Sequence, residues 1–446
     1  MTISRRNVLM STLFGAGYVG LRALATGIPA GVLLRGRAAL AEGAACTGAL
    51  ASKAQYFILQ TSGNGDPINA NAPGTYDDPG ILHSADPAMQ KTGIPLGGKS
   101  VNAAAPWAQL GSVPGYPDVL ARTSFWHLMT NTPVHPKEPD VLSLLNTTKA
   151  NEMLPSLLSA SLAGCLGTIQ AQPITVGASS PSEGLKFGGQ ALPILPPLAL
   201  KQTLTNPGGA LAGLTNLQTL RDHTLSQLND VFAGGATKAE KAYLDSLIQS
   251  RAQARSINQD LLDALTSIAD NSVTSQITAA VALIRMKVTP VVALHIPFGG
   301  DNHFDADFAT EAAQTVTGVA AIASLLGQLA DAQLQDQVSF LSLNVFGRTL
   351  GPGNGAGRQH NQNHQVSIAI GKPFRSGVIG GVARVGGDYG AVAFDAASGN
   401  ASPSGDVLPT QSLASFGKTV LASVGIDRAV IDGQITGGKI VGGALA

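Results

Sequence analysis

The chain has 446 residues, 44% of them hydrophobic and 13% charged, and its 28 basic and 28 acidic residues leave a formal net charge of zero. That length holds one large or two ordinary domains with a sizeable core. No Lys/Arg cluster occurs beyond the N-terminus, so the composition excludes an electrostatic footprint for nucleic acid.

The N-terminus reads as an export leader. Ser4-Arg5-Arg6-Asn7-Val8-Leu9-Met10 resembles the twin-arginine motif. A weakly apolar stretch, Val8 to Leu34, follows, and Arg35, Arg37 and the small-residue site Ala39-Leu40-Ala41 close it. We expect cleavage after Ala41, which makes residues 1–41 a signal peptide. The stretch is long enough to span a membrane. Arg22 inside it, its many Gly and Ala residues and the Ala-Leu-Ala site favour a leader over an anchor. A lipoprotein reading at Cys46 is disfavoured because Gly43-Ala44-Ala45 lacks the usual leucine. No other stretch reads as a membrane span. The expected location is periplasmic or secreted, with the twin-arginine translocase as partner during export. Cys46 and Cys165 are the only cysteines; they could pair in an oxidising compartment, and the sequence leaves that open. With no CxxC pair, a Cys-based metal site is not expected.

Gln55–Thr61 is a short β-branched and aromatic run, hence a buried strand. It ends in Ser62-Gly63-Asn64-Gly65-Asp66-Pro67-Ile68-Asn69, which sets Asp66 either in an ordinary turn or beside a metal. Residues 70–118, rich in Pro, Gly, Asn and Asp, read as an extended loop region. A second strand is expected at Ala121–Met129, then a polar loop, Thr130–Asp140, carrying His135, Glu138 and Asp140. A helix begins near Val141. Residues 155–235 are apolar but punctuated by Pro and Gly, and no element is assigned there.

Lys238–Ile268 has the clearest helical period, with Leu244, Leu247, Ile248, Ile257, Leu261, Leu265 and Ile268 at spacings of three and four. A helix near Thr274–Met286 leads into the strand Pro290–Ile296. The long helix Phe308–Ala332 then leads into Val338–Phe346. Strand–helix–strand of this length implies a parallel crossover and an α/β fold with its functional loops at the carboxyl ends of the strands.

Those loops carry the chemistry. After Ile296 comes Pro297-Phe298-Gly299-Gly300-Asp301-Asn302-His303. After Phe346 comes a glycine-rich loop with Arg348, His360 and His364, and another apolar run, Gln365–Ile370, starts at once. Carboxylates and histidines recurring at several strand ends point to a metal or polar catalytic site. Carboxylate oxygen with imidazole nitrogen suits Zn, Mn, Fe or Mg.

Four segments resemble a bacterial exported family known only as a domain of unknown function (number fifteen-oh-one), placed in the alkaline phosphatase and sulfatase superfamily. Gly63-Asn64-Gly65-Asp66-Pro67-Ile68-Asn69 is similar to its first strand-end turn. Gly299-Gly300-Asp301-Asn302-His303 is similar to its Gly-Trp-Asp-Thr-His element. Asn344-Val345-Phe346-Gly347-Arg348-Thr349 and Gln359-His360 are similar to its Ser-Glu-Phe-Gly-Arg-Thr element and later Asp-His pair. Val407-Leu408-Pro409-Thr410-Gln411 is similar to its C-terminal element. The resemblance implies a three-layer α/β/α, alkaline phosphatase-like domain over residues 42–446, with a helical insertion around 150–285. It further implies a divalent metal, Zn favoured, held by Asp66, Asp301, His303 and His360, with Arg348 neutralising a small anionic ester substrate. Val345 and Gln359 stand where the family has Glu and Asp, and no clean counterpart of its Ser-His-Phe segment occurs near His135–Asp140. His364 is the candidate replacement for the lost carboxylate. Two functions remain open: a metal-dependent hydrolase of phosphate or sulfate esters, and a hydrolase-like fold that has lost catalysis and acts as an exported binding or assembly protein.

Overall fold

The structure, a computed structural model, describes residues 46–179, 184–205, 227, 264–352 and 356–446. Its centre is a seven-stranded sheet. In chain order the strands are β1 (Tyr56–Ser62), β2 (Thr123–Leu128), β3 (Ile174–Thr175), β4 (Val291–Leu294), β5 (Val338–Asn344), β6 (Gln365–Ile370) and β7 (Gly377–Ile379). Their spatial order is β7-β2-β6-β5-β1-β4-β3. β1 pairs in parallel with β4 and β5, β3 with β4, and β7 with β2. β6 runs antiparallel to both of its neighbours, β2 and β5.

Every residue of β1, β2, β4, β5 and β6 is buried, as strands covered on both faces must be. Side-chain alternation divides these strands between two cores. Tyr56, Ile58, Phe125, Val292, Phe340 and Ile368 face one core. Phe57, Leu59, Trp126, Val291, Leu341 and Ala369 face the other. Four helices, α1 (Leu154–Leu166), α2 (Val273–Arg285), α3 (Ala309–Asp331) and α4 (Ser412–Ser423), supply the outer layers. α2 and α3 close the first core through Ile277, Ile284, Val319, Ile322 and Leu326. α1 and α4 close the second through Leu154, Leu158, Phe416 and Val420. The result is the α/β fold with a mostly parallel central sheet expected from the sequence.

All four expected strands lie in this sheet; the first is shifted by one residue and the other three are shorter than expected. The helix expected at Thr274–Met286 is α2, which starts at a Ser272 cap accepting the Ser275 N–H. The helix expected at Phe308–Ala332 is α3. By length and composition α3 could cross a membrane, contrary to the reading that no stretch beyond the leader could. Its Val319, Ile322, Leu325 and Leu329 are instead fully buried in the first core. The helix expected over Lys238–Ile268 lies outside the described residues except for its last turn.

Two stretches hold more structure than expected. Within residues 70–118, Lys91–Leu96 and Lys99–Ala104 form a hairpin. Its two-residue turn, Gly97-Gly98, takes positive φ at both positions, which suits a tight hairpin. α1 was hidden by Pro155, which sits in its first turn, where no helical N–H is lost. Cys46 and Cys165 are disulfide-bonded, with Cα atoms 5.0 Å apart and 119 residues of separation. A loop of that length confines the unfolded chain by up to about 5 kcal/mol in the chain-entropy account.

Candidate metal centre

Because β1, β2, β4 and β5 point the same way, the loops that leave their carboxyl ends meet at one edge of the sheet. β6 enters the sheet at that same edge, so the residues before it join them. Beyond β1 the chain turns sharply at Gly65, where φ is +66° and any β-carbon would run into the Phe346 ring. Glycine is the residue that meets both demands. Asp66 follows, fully buried. Its Oδ1 accepts the N–H groups of Gly300 (2.8 Å) and Phe298 (3.3 Å). It thereby fixes the loop after β4 against the loop after β1.

That tie presents Asp301 and His303 at the edge. They meet His360 and His135, and the ligand atoms of these four residues lie within 4.8 Å of one another. His303 Nε2 is 3.0 Å from Asp301 Oδ1 and 2.8 Å from His360 Nε2. His360 Nε2 is 3.8 Å from Asp301 Oδ1, and His135 Nε2 is 3.6 Å from Asp301 Oδ2. Phe346 packs against two of the rings, with centroids 4.3 Å from His360 and 5.0 Å from His135. Three imidazoles and one carboxylate form a donor set that could hold a metal ion.

Two of the histidines are oriented as metal ligands usually are. His135 Nδ1 donates to Gly63 O at 2.7 Å and His360 Nδ1 donates to Pro133 O at 2.5 Å. Each bond fixes the tautomer and turns the Nε2 lone pair toward the shared point. Burial holds His360 below the usual histidine range, with the nearby Arg348 charge acting in the same direction. Partial burial works against the Asp301 carboxylate, but the hydrogen bond and charge of Arg348 outweigh it and keep the carboxyl below its ordinary range. Both effects leave the donor atoms deprotonated near neutral pH, as metal binding requires.

Arg348 is wholly buried, and its position follows from a two-residue antiparallel ribbon that pairs Gly347 with Asn361 and Arg348 with His360. A β-carbon on Gly347 would overlap His364 O and the Asn69 side chain. The guanidinium donates to Asp301 Oδ1 (2.8 Å), Gly65 O (2.5 Å) and Asn64 O (2.5 Å). Through Nε and Nη2 the guanidinium serves the protein itself, and Arg348 orients the Asp301 carboxylate.

A second charged network holds the same loops from beneath. Glu311 on α3 is paired with Arg358 at 2.7 Å, with side chains 0% and 2% exposed. Asn302, between Asp301 and His303, donates to Glu311 Oε2 at 2.8 Å. Asn71 donates to Oε1 at 3.0 Å. The Arg358 guanidinium lies 4.3 Å from the Phe308 ring centre.

Of the residues singled out from sequence, Asp301, His303 and His360 come together with Arg348 beside them. Asp66 and His364 stand outside the cluster. Asp66 Oδ1 is occupied by the two backbone amides. His364 is fully buried, with Nε2 2.8 Å from His127 Nδ1 and Nδ1 3.2 Å from Asn69 Nδ2. Even spacing from His360 does not put the two rings on one side. Asn361 Oδ1 accepts the N–H groups of Asn363 and His364, and this turn breaks the strand period. His135 takes the place expected of these two. It follows a strand end, as Asp301 does, and that repeated pattern was the available signal. Comparison of the chain with protein-family models gives no match, and comparison with curated proteins gives none either.

Proposed function

We propose that the protein is an exported metal-dependent hydrolase of small phosphate or sulfate esters, with a divalent ion, zinc by preference, among His135, Asp301, His303 and His360. The observation that carries this reading is the convergence of three imidazoles and a carboxylate from separate loops at the carboxyl edge of an α/β sheet, where such folds bind ligands. A nitrogen-rich set with one carboxylate suits zinc better than magnesium, which prefers oxygen ligands. A divalent ion there supplies Lewis acidity toward an ester oxygen. The chain's own contribution is orientation: Gly63 O and Pro133 O fix two rings, Arg348 fixes the carboxylate, and Phe346 forms an apolar floor. The open side is wet, since the Asp301 side chain is 48% exposed. The Cys46–Cys165 disulfide supports delivery to an oxidising compartment.

One observation favours the second reading, a hydrolase-like fold that binds without catalysis. The cation expected to meet the substrate, Arg348, is wholly buried and gives its Nε and Nη2 hydrogens to acceptors within the protein. Metal content of the purified mature chain, followed by release of nitrophenol from its phosphate and sulfate esters, separates the two. Stoichiometric zinc with turnover supports the hydrolase, and stoichiometric zinc without turnover supports the binding protein. Absence of bound metal after incubation with zinc, manganese and iron refutes the metal centre in both.

A further inference from the structure

The four residues of the cluster are not equivalent. His135 and His360 each have a carbonyl acceptor for Nδ1–H. His303 has none: its Nδ1 is buried without a partner among the described residues. A metal-bound histidine almost always donates its second ring N–H to an acceptor. If His303 bound an ion through Nε2, the proton would sit on Nδ1, buried and unpaired, and its desolvation would be uncompensated.

The surroundings of His303 Nε2 agree with this. Its near neighbours are Asp301 Oδ1 at 3.0 Å and His360 Nε2 at 2.8 Å. Asp301 is a carboxylate, and His360 Nε2 is a lone pair because Nδ1 of that ring carries the proton. Both are acceptors, so His303 Nε2 carries the hydrogen between them. Arg348 Nη1, a donor that would ask for the opposite tautomer, stands at 3.5 Å, the outer limit of a hydrogen bond. The remaining three donors are spaced differently. His135–Asp301 is 3.6 Å, His360–Asp301 is 3.8 Å, and no pair exceeds 4.8 Å. The two edges end on different oxygens of the Asp301 carboxylate, so the three side chains surround a common point with room between them for an ion.

Resting on the metal reading above, we infer that His135, Asp301 and His360 are the metal ligands and that His303 is not a ligand but a hydrogen-bond donor beside the ion, aimed at an anionic oxygen of the molecule that shares the site. Two histidines and one carboxylate leave open positions on the ion. With an ion holding the His360 lone pair, the His303 Nε2–H would be released from that ring toward an oxyanion entering such a position.

The test uses the full mature chain, cobalt(II) as the metal and inorganic phosphate as the anion. Cobalt affinity is measured by competition with a chelating dye, and the visible cobalt spectrum reports the ligand set. His135→Gln, His360→Gln and Asp301→Asn are each expected to lose at least about a hundredfold in cobalt affinity, since loss of an outer partner alone costs ten- to a hundredfold. His303→Gln, whose amide can still donate from a similar place, is expected to keep cobalt within about tenfold and to keep the spectrum. His303→Ala, which removes the donor, is expected to keep the cobalt spectrum but to weaken phosphate binding to the cobalt-loaded protein. If wild type binds cobalt and both His303 variants lose it as the other three do, the division of roles is overturned while the metal centre stands. If wild type binds no cobalt, the metal centre falls and this assignment with it.

Discussion

Replacing Arg358 by Met tests whether the network under the candidate centre stabilises the protein. Glu311 receives Arg358 Nε at 2.7 Å and Nη2 at 3.1 Å, Asn302 Nδ2 at 2.8 Å and Asn71 Nδ2 at 3.0 Å. Methionine keeps most of the volume but removes the only ion-pair partner, among the described residues, of a carboxylate that is 0% exposed. Two carbonyls, Thr349 O and Leu82 O, lose a donor as well. Breaking a buried pair from one side costs about 3–5 kcal/mol, because the charge left behind is uncompensated. That is a large part of the roughly 5–15 kcal/mol that holds a typical domain. The assay is urea denaturation at pH 7, with stability taken from the midpoint and slope. Adding Glu311→Gln removes the stranded charge, so the double variant should be more stable than Arg358→Met alone. A loss below about 1 kcal/mol for Arg358→Met, or strict additivity of the two changes, would refute the argument.

Two further outcomes follow from the structure and the sequence. His127 is fully buried, and burial pushes its pKa down to about 4, with the Pro73 carbonyl only partly offsetting; burial likewise holds its partner His364 well below the usual range. The unfolded chain takes up a proton at His127 below about pH 6.5 and the folded chain does not until about pH 4, so stability present above pH 6.5 is lost as the pH falls through that window. The His127 share is about 3 kcal/mol, and urea midpoints at pH 7.5, 6, 5 and 4 should fall less steeply in His127→Gln; an unchanged slope counts against it. Changing Arg5 and Arg6 together to Lys should leave the protein in the cytoplasm with its leader uncut, and normal periplasmic delivery of that variant defeats the export reading.

The strands were legible because a parallel strand buried on both faces is a short, continuous apolar run. Gln55–Thr61, Pro290–Ile296 and Val338–Phe346 have that form, and their ends in the structure differ only slightly. α2 and α3 were legible from the spacing of their apolar residues, since one face of each meets the sheet. α1 was not, because Pro155 reads as a breaker unless its place in the first turn is known. The hairpin within residues 70–118 was also missed. Its outer residues are exposed and its strands carry Lys, Ser and Pro, so no apolar run marks it.

The candidate site was legible where a residue's place follows from its own strand, and illegible where it depends on what the neighbouring loop does. Asp301 and His303 follow directly from the end of β4. His135 lies seven residues beyond β2, and what brings it in is the bond of its ring to Gly63 O in another loop. The direction of β6 decides the rest. A parallel strand there would have entered the sheet at the opposite edge and carried Gln359–His364 away from β4. Because β6 is antiparallel to β5, the chain must cross the carboxyl edge before it enters, and this brings His360 beside Asp301. The ribbon pairing Arg348 with His360 fixes how far that crossing reaches. The Asn361 turn then carries His364 under the edge, where His127 and Asn69 occupy both of its nitrogens. Parity along a strand placed His360 and His364 together, and the two hydrogen bonds that one side-chain oxygen accepts separate them. Sequence spacing predicts shared faces only within an unbroken element. An Asn in the interval is the local warning that the element has ended.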